Sequence, residues 1–164
     1  MLKDYKKHVE EREKLGIPPL PLDVDQTTEL VELLKEKNDE SELLLFLLKE
    51  RIPAGVDQSA YVKAAFLSDI TKGSSSSPYI SKIEAVEILG TMLGGYNIQP
   101  LIECLKIEEL GKVAAKSLSN TLLIFDAFNE IFELSKENKY AEQVINAWAD
   151  GTWFTDKTPL PEQI

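Results

Sequence analysis

"EILGTMLGGYNIQPLIECL", residues 87–105, places two adjacent glycines, Gly94 and Gly95, between segments whose apolar residues recur at helical spacing. Such a pair either cradles a phosphate or turns the chain between packed helices. A phosphate loop takes the form GxxxxGK[ST] after a strand, with the lysine reaching the phosphates. Here Tyr96 and Asn97 follow the glycines, the preceding segment is helical by spacing, and no GxGxxG occurs. The turn reading accounts for each residue. Gly94 takes the left-handed conformation that ends a helix, Asn97 caps the next helix, and Pro100 falls in that helix's first turn, where a missing N–H costs nothing. Gly90 carries a propensity penalty of about 1 kcal/mol, which the close approach of a neighbouring helix would offset. The pair is a turn, and its surroundings are helical.

Working outward, the 3.6-residue period runs through most of the chain, with hardly any alternation of period 2. Ser81 and Glu84 form a capping-box pattern for a helix over 82–93, with Ile83, Val86, Leu89 and Leu93 as its inner stripe. Upstream, a helix from about Leu2 to Leu15 stops at Gly16, and the proline-rich "IPPLPLD", residues 17–23, is an extended connector. Asp25 caps the next helix, which carries Leu30, Val31, Leu33 and Leu34. A third helix starts near Ser41 and holds "LLLFLL", residues 43–48; apolar on every side, it must be covered from more than one direction. Asp57 caps a fourth, with Val62, Phe66 and Ile70 inward and Gly73 closing it. "KGSSSSPY", residues 72–79, reads as a mobile surface connector. Downstream helices are expected at about 97–106, 108–118, 121–137 and 139–150, with Asn97, Asn120 and Asn138 as caps or stops.

Short turns between helices of this length make antiparallel neighbours. About four pairs, roughly one per 40 residues, match the period of HEAT-type repeats. The fold class expected is therefore all-α, an α-α superhelix of stacked antiparallel pairs over residues 1–156, with residues 157–164 beginning a linker. No internal repeat proves the stack, and an irregular all-α bundle is the alternative.

Composition narrows function further. The 28 acidic and 18 basic residues give a formal charge of −10, which opposes binding to phosphate backbones. The longest apolar run is far short of the roughly 20 residues that span a bilayer, and the N-terminus lacks the apolar centre of a secretory signal; the protein is read as cytoplasmic. Cys104 is the sole cysteine and reads as an inert core thiol. His8, the sole histidine, lies among charges on an exposed helix face. Asp126, Glu130 and Glu133 share a helix face and read as a solvated rim. No catalytic, cofactor-binding or metal-ligating residue is assigned. Trp153 and Phe154 fall beyond Gly151, outside the last helix, and are the candidate partner-facing residues.

"YVKAAFLSDI", "EILGTMLGGYNIQPLIECL", "AAKSLSNTLLIFDAF" and "VINAWADGTWF" resemble the N-terminal helical region of the bacterial aconitate hydratase B (aconitase 2) family. The likeness runs from "HVEEREKLGIPPLPLD" to the proline-containing tail and is weakest at the serine-rich loop, residues 74–77. It implies a HEAT-like domain at the front of a longer lyase of the tricarboxylic acid cycle. That enzyme would interconvert citrate and isocitrate through cis-aconitate on a [4Fe–4S] cluster held in later domains. None of the family's cluster or catalytic motifs matches a position in this chain. For this segment the resemblance implies protein–protein contacts: with the downstream domains of the same enzyme, with another copy, or with another protein. The family's association with messenger RNA is not expected of so acidic a segment alone. A free-standing helical adaptor sharing only the fold is the rival reading, and a small all-α enzyme is the third.

Overall fold

The computed structural model describes residues 1–121 and 125–151, with the side chains of residues 125 and 126 left out. Every regular element among them is a helix: α1 (Leu2–Lys14), α2 (Val24–Leu34), α3 (Ser41–Glu50), α4 (Gln58–Lys72), α5 (Lys82–Thr91), α6 (Ile98–Leu105), α7 (Glu108–Ser119), α8 (Phe125–Ser135) and α9 (Lys139–Ala149). The all-α class is as expected. After α1 the helices pack as sequential pairs: α2 with α3, α4 with α5, α6 with α7, and α8 with α9. Successive pairs stack through α2 on α4, then α5 on α7 and α7 on α9.

Local chemistry sets most of the boundaries. Ser81 and Glu84 form the capping box of α5, each side chain bonded to the other's backbone N–H. The hydrogen bond from the Ser81 N–H holds the Glu84 carboxyl below the usual carboxylate range. Asp57 accepts from the Ser59 N–H at 2.8 Å, and Gly73 closes α4 in the left-handed conformation. Asn138 accepts from the N–H groups of both Tyr140 and Ala141 to start α9. One cap is displaced from expectation. Asp23, not Asp25, starts α2, in a capping box with Gln26; Asp25 lies in the first turn, where a carboxylate favours the helix dipole. The expected helix over 121–137 begins at Phe125, and residues 122–124 lie outside the described set.

The core is aliphatic, with Leu30, Leu34, Leu44, Leu47, Leu67, Leu89, Leu101 and Leu118 all inaccessible to solvent. Phe66 and Ile70 point inward as read, with Val62 half-buried. On α3 only Leu44, Leu47 and Leu48 are fully buried, and Phe46 is half-exposed, so that helix is covered on one face more than another. The expected stripe of α5 is also revised. Val86 and Leu89 are buried, but Ile83 and Leu93 are exposed and Ala85 and Ile88 take their places. Sandwiched between α4 and α7, α5 buries a broad band centred on a small residue. Close packing explains Gly90: a Cβ there would lie 2.7 Å from that of Ser117 on α7. The serine-rich loop is tied down: Ser77 Oγ donates to the Leu34 carbonyl at 2.6 Å, Ser74 Oγ to Asp69 Oδ1 at 3.0 Å, and Tyr79 Oη to the Asn38 carbonyl at 3.0 Å.

The glycine pair is a turn, built differently from expectation. The helix ends at Thr91, with Met92 already extended, so Gly94 does not terminate it. Gly94 and Gly95 both hold φ of +102°. Asn97 precedes α6 but makes no side-chain cap to it. Its Nδ2 instead donates backwards to the carbonyls of Leu89 (2.8 Å) and Met92 (3.1 Å), closing the open end of α5. Asn97 is buried, so Asn97→Ala takes a donor from two carbonyls, of which that of Leu89 keeps the Met92 N–H as a partner. We expect a loss of about 1–2 kcal/mol in urea unfolding, with Asn97→Asp at least as costly because it removes the donor. A loss under about 0.5 kcal/mol would show that water replaces the amide.

Candidate functional site

In a stack of hairpins the loops inside pairs collect at one edge and the loops between pairs at the other. At the second edge three connectors, residues 15–23, 51–57 and 92–97, are bonded to one another. Leu22 N–H donates to the Arg51 carbonyl at 2.8 Å, and Gly55 N–H to the Leu93 carbonyl at 3.1 Å. Tyr96 Oη donates to the Val56 carbonyl at 3.2 Å. At Gly94 the backbones come so close that an added Cβ would lie 2.5 Å from the Gly55 carbonyl oxygen.

The proline-rich connector is held from three sides. The Arg51 guanidinium donates to Tyr5 Oη at 3.0 Å, to the Leu20 carbonyl at 3.2 Å and to the Pro19 carbonyl. Arg12 Nε donates to the Pro18 carbonyl at 2.9 Å. His8 is half-buried rather than exposed, and its Nε2 accepts from the Leu20 N–H at 3.0 Å. An imidazole that accepts there carries its proton on Nδ1. His8 is therefore a structural acceptor, a role invisible until the connector is folded back onto α1.

Among the described residues this edge carries the most exposed large apolar side chains: Val56 (78% exposed), Leu93 (72%) and Leu15 (71%), with Ile17 and Leu20 beside them. Tyr61 and Tyr96 meet edge-to-face, ring centres 5.4 Å apart, behind them. A second apolar group lies on the last pair. Phe128 and Phe132 on α8 stack at 6.1 Å, and Phe128 stacks on Trp148 of α9 at 6.1 Å. Trp148 Nε1–H donates to the Leu118 carbonyl at 3.1 Å, as a partly buried core indole should. Trp153 and Phe154, the partner-facing candidates from the sequence, lie outside the described residues. The side chain of Asp126 is likewise outside them, while Glu130 and Glu133 form ion pairs with Lys106 and Lys136.

The reactive groups do not converge. Among the described residues no three His, Cys, Asp or Glu side chains stand close enough to hold a metal ion. Cys104 is 1% exposed in the core, and burial pushes its thiol pKa up, so the nucleophilic thiolate is disfavoured. Lys72 pairs with Glu103 at 2.8 Å, and that bond raises the lysine pKa. An iron–sulfur cluster requires several thiolates; with one buried cysteine, these residues do not fit such a group. Among the described residues no helix is long and apolar enough to cross a membrane.

Comparison with known proteins places this sequence in a family. Residues 4–154 match the family model described as the aconitate B N-terminal domain. The chain is 56% identical over 167 residues to aconitate hydratase B of Synechocystis sp., covering 100% of this chain and 19% of that protein. It is 51% identical over 166 residues to aconitate hydratase B of Escherichia coli K12, again with 100% and 19% coverage. For aconitate hydratase B of Helicobacter pylori J99 the figure is 44% over 165 residues, with 99% and 19% coverage. The chain thus spans 19% of the length of these relatives.

Proposed function

The chain belongs to the aconitate B N-terminal domain family, and on that premise we propose that it serves an aconitate hydratase B as a non-catalytic interaction module. The whole enzyme would convert citrate to isocitrate through cis-aconitate in the cytoplasm. Its cluster and acid–base groups would come from other domains. The observation that carries this reading is the coverage: identity extends over the entire chain yet over 19% of each relative. The stacked helix pairs suit the role. If they form a HEAT-like superhelix, each pair contacts its neighbours and the edges remain free to bind. Exposed aliphatic residues on hydrogen-bonded connectors supply the binding surface, with less conformational entropy to lose than a loose loop would have.

The test is direct. The isolated chain, treated anaerobically with iron and sulfide, is expected to give no citrate–isocitrate turnover, and turnover would overturn the assignment. A free-standing adaptor is separated from this reading by the native reading frame past Ile164. Continuation into cysteine-bearing aconitase domains supports the module, and a stop codon supports the adaptor.

A further inference from the structure

We propose that His8 is a proton-operated latch on the proline-rich connector: the neutral imidazole holds the Leu20 N–H, and protonation frees residues 17–21 from α1. The proposal stands on the bonds of this chain alone and does not rest on the module reading.

The connector cannot fasten itself. Pro18, Pro19 and Pro21 carry no N–H, so only three main-chain donors remain between Ile17 and Leu22. Each goes to an acceptor outside the connector: Ile17 N–H to the Arg12 carbonyl at 3.2 Å, Leu20 N–H to His8 Nε2 at 3.0 Å, and Leu22 N–H to the Arg51 carbonyl at 2.8 Å. Two of these acceptors are carbonyls and accept at any pH. The third accepts only while Nε2 is bare, because an imidazolium bears hydrogens on both nitrogens. Protonation therefore sets N–H against N–H and leaves the Leu20 donor without a partner. The connector carbonyls bring no second titrating anchor. Those of Pro18, Pro19 and Leu20 are held by the guanidiniums of Arg12 and Arg51, which stay charged. Among these anchors histidine alone changes its charge between pH 5 and 8.

The charged neighbours of His8 are committed elsewhere. One turn away on α1 stand Asp4, Tyr5, Glu11 and Arg12, with Lys7 adjacent. Asp4 lies 3.8 Å from the Met1 amine, and Glu11 pairs with Lys7 at 3.7 Å. The Tyr5 ring is 6.2 Å from that of His8, and its hydroxyl accepts from Arg51. Residues 16–22 present no charged or titratable side chain, and the end of α3 presents the Arg51 guanidinium. Among the described residues no carboxylate bonds to the imidazole, whose proton would add a third cation to the two guanidiniums on the connector.

The segment released is short and bounded. Leu22 is fully buried, and Gly16 N–H bonds back to the Glu13 carbonyl, so α1 and α2 keep their ends while residues 17–21 come away. Ile17 and Leu20, already exposed, leave the connector edge with them. A histidine in water titrates at about pH 6.5. The free connector therefore takes up a proton that the latched one excludes, so the latch is closed above that pH and opens as pH falls through it. Lowering the pH from 7.5 to 5.5 favours release by roughly tenfold.

The experiment follows the imidazole nitrogen resonances of His8 and the exchange protection of the Leu20 amide over that range. At pH 7.5 the nitrogen shifts should show Nε2 bare and the proton on Nδ1. From pH 7.5 to 5.5 the protection of Leu20, corrected for the intrinsic pH dependence of exchange, should fall roughly tenfold, and that of Leu22 less than twofold. His8→Gln offers a carboxamide oxygen that can accept the same bond and does not titrate, so its Leu20 protection should not change with pH. Should that variant fail to fold, the titration of the unsubstituted chain decides alone. Leu20 protection that stays constant to pH 5.5 would overturn the proposal. So would an equal fall in His8→Gln, or a proton found on Nε2 at pH 7.5.

Discussion

Gly94→Ala is expected to destabilise the chain by about 3–5 kcal/mol, and Gly95→Ala by only about 1–2 kcal/mol. Both residues hold φ of +102°, so each substitution carries the same left-handed strain. They differ in what a Cβ would meet. At Gly95 nothing lies within 4 Å, whereas at Gly94 the backbone of Gly55 occupies the space. Backbone cannot rotate aside as a side chain does, so the two connectors must separate. The hydrogen bond from Gly55 N–H to the Leu93 carbonyl is lost with the contact. Urea unfolding of the two variants gives the comparison. Equal losses would mean that backbone strain, and not the close approach of connectors, is what requires glycine at 94. A large loss confined to Gly94 would also disturb Val56 and Leu93, which the same contact holds in place.

Much of this architecture could be read from local sequence because helix ends are local chemistry. The box of Ser81 with Glu84, the cap at Asp57 and the stop at Gly73 each involve residues at most five apart, so pattern alone found them. The box of Asp23 with Gln26 has the same local form, and Asp25, two residues on, offers a competing carboxylate that local pattern does not exclude. Contacts made over long sequence separations were not legible. Gly94 is required by Gly55, and Asn97 turns back to serve α5 instead of α6. His8 gains a partner only because the proline connector folds against α1. The stripe of α5 failed for a related reason. Periodicity identifies a face, but neighbours on two sides decide how wide it is, and here they drew in Ala85 and Ile88.

The connector edge shows the same division. Exposed apolar residues in "IPPLPLD" and "TMLGGYN" look unremarkable one segment at a time, since connectors often contain Pro, Gly and scattered hydrophobics. Their meaning emerges when the fold sets three connectors rich in apolar residues side by side. The aromatic pair Trp153 and Phe154 is a stronger signal in sequence because large exposed aromatics are common at interfaces. A row of separate Leu, Ile and Val residues carries no comparable signal in one dimension.

Lys63→Met is expected to stabilise the chain by about 2 kcal/mol at pH 7, an advantage that disappears with rising pH. Lys63 is 5% exposed on α4, and its Nζ lies 3.4 Å from the Lys49 carbonyl, near the C-terminal end of α3. Burial disfavours the ammonium form, and only in part does the charge of Glu50 oppose this, so the pKa falls from 10.5 to about 8. Below pH 8 the lysine is charged in both the folded and unfolded chain, and folding bears the whole desolvation penalty, about 3 kcal/mol. Between pH 8 and 10.5 the unfolded chain holds the proton that the folded chain has released, so this group makes stability rise with pH. Above 10.5 both forms are neutral and the penalty is gone. Methionine keeps the apolar stem and removes the charge, while the lost contact to the Lys49 carbonyl offsets about 1 kcal/mol of the gain. All other groups are common to both proteins, so the difference between their urea unfolding free energies isolates Lys63. That difference should favour methionine by about 2 kcal/mol near pH 7, pass through zero inside the window and favour lysine by about 1 kcal/mol near pH 11. A difference that stays constant across the range would show that the Lys63 ammonium remains solvated in the folded chain.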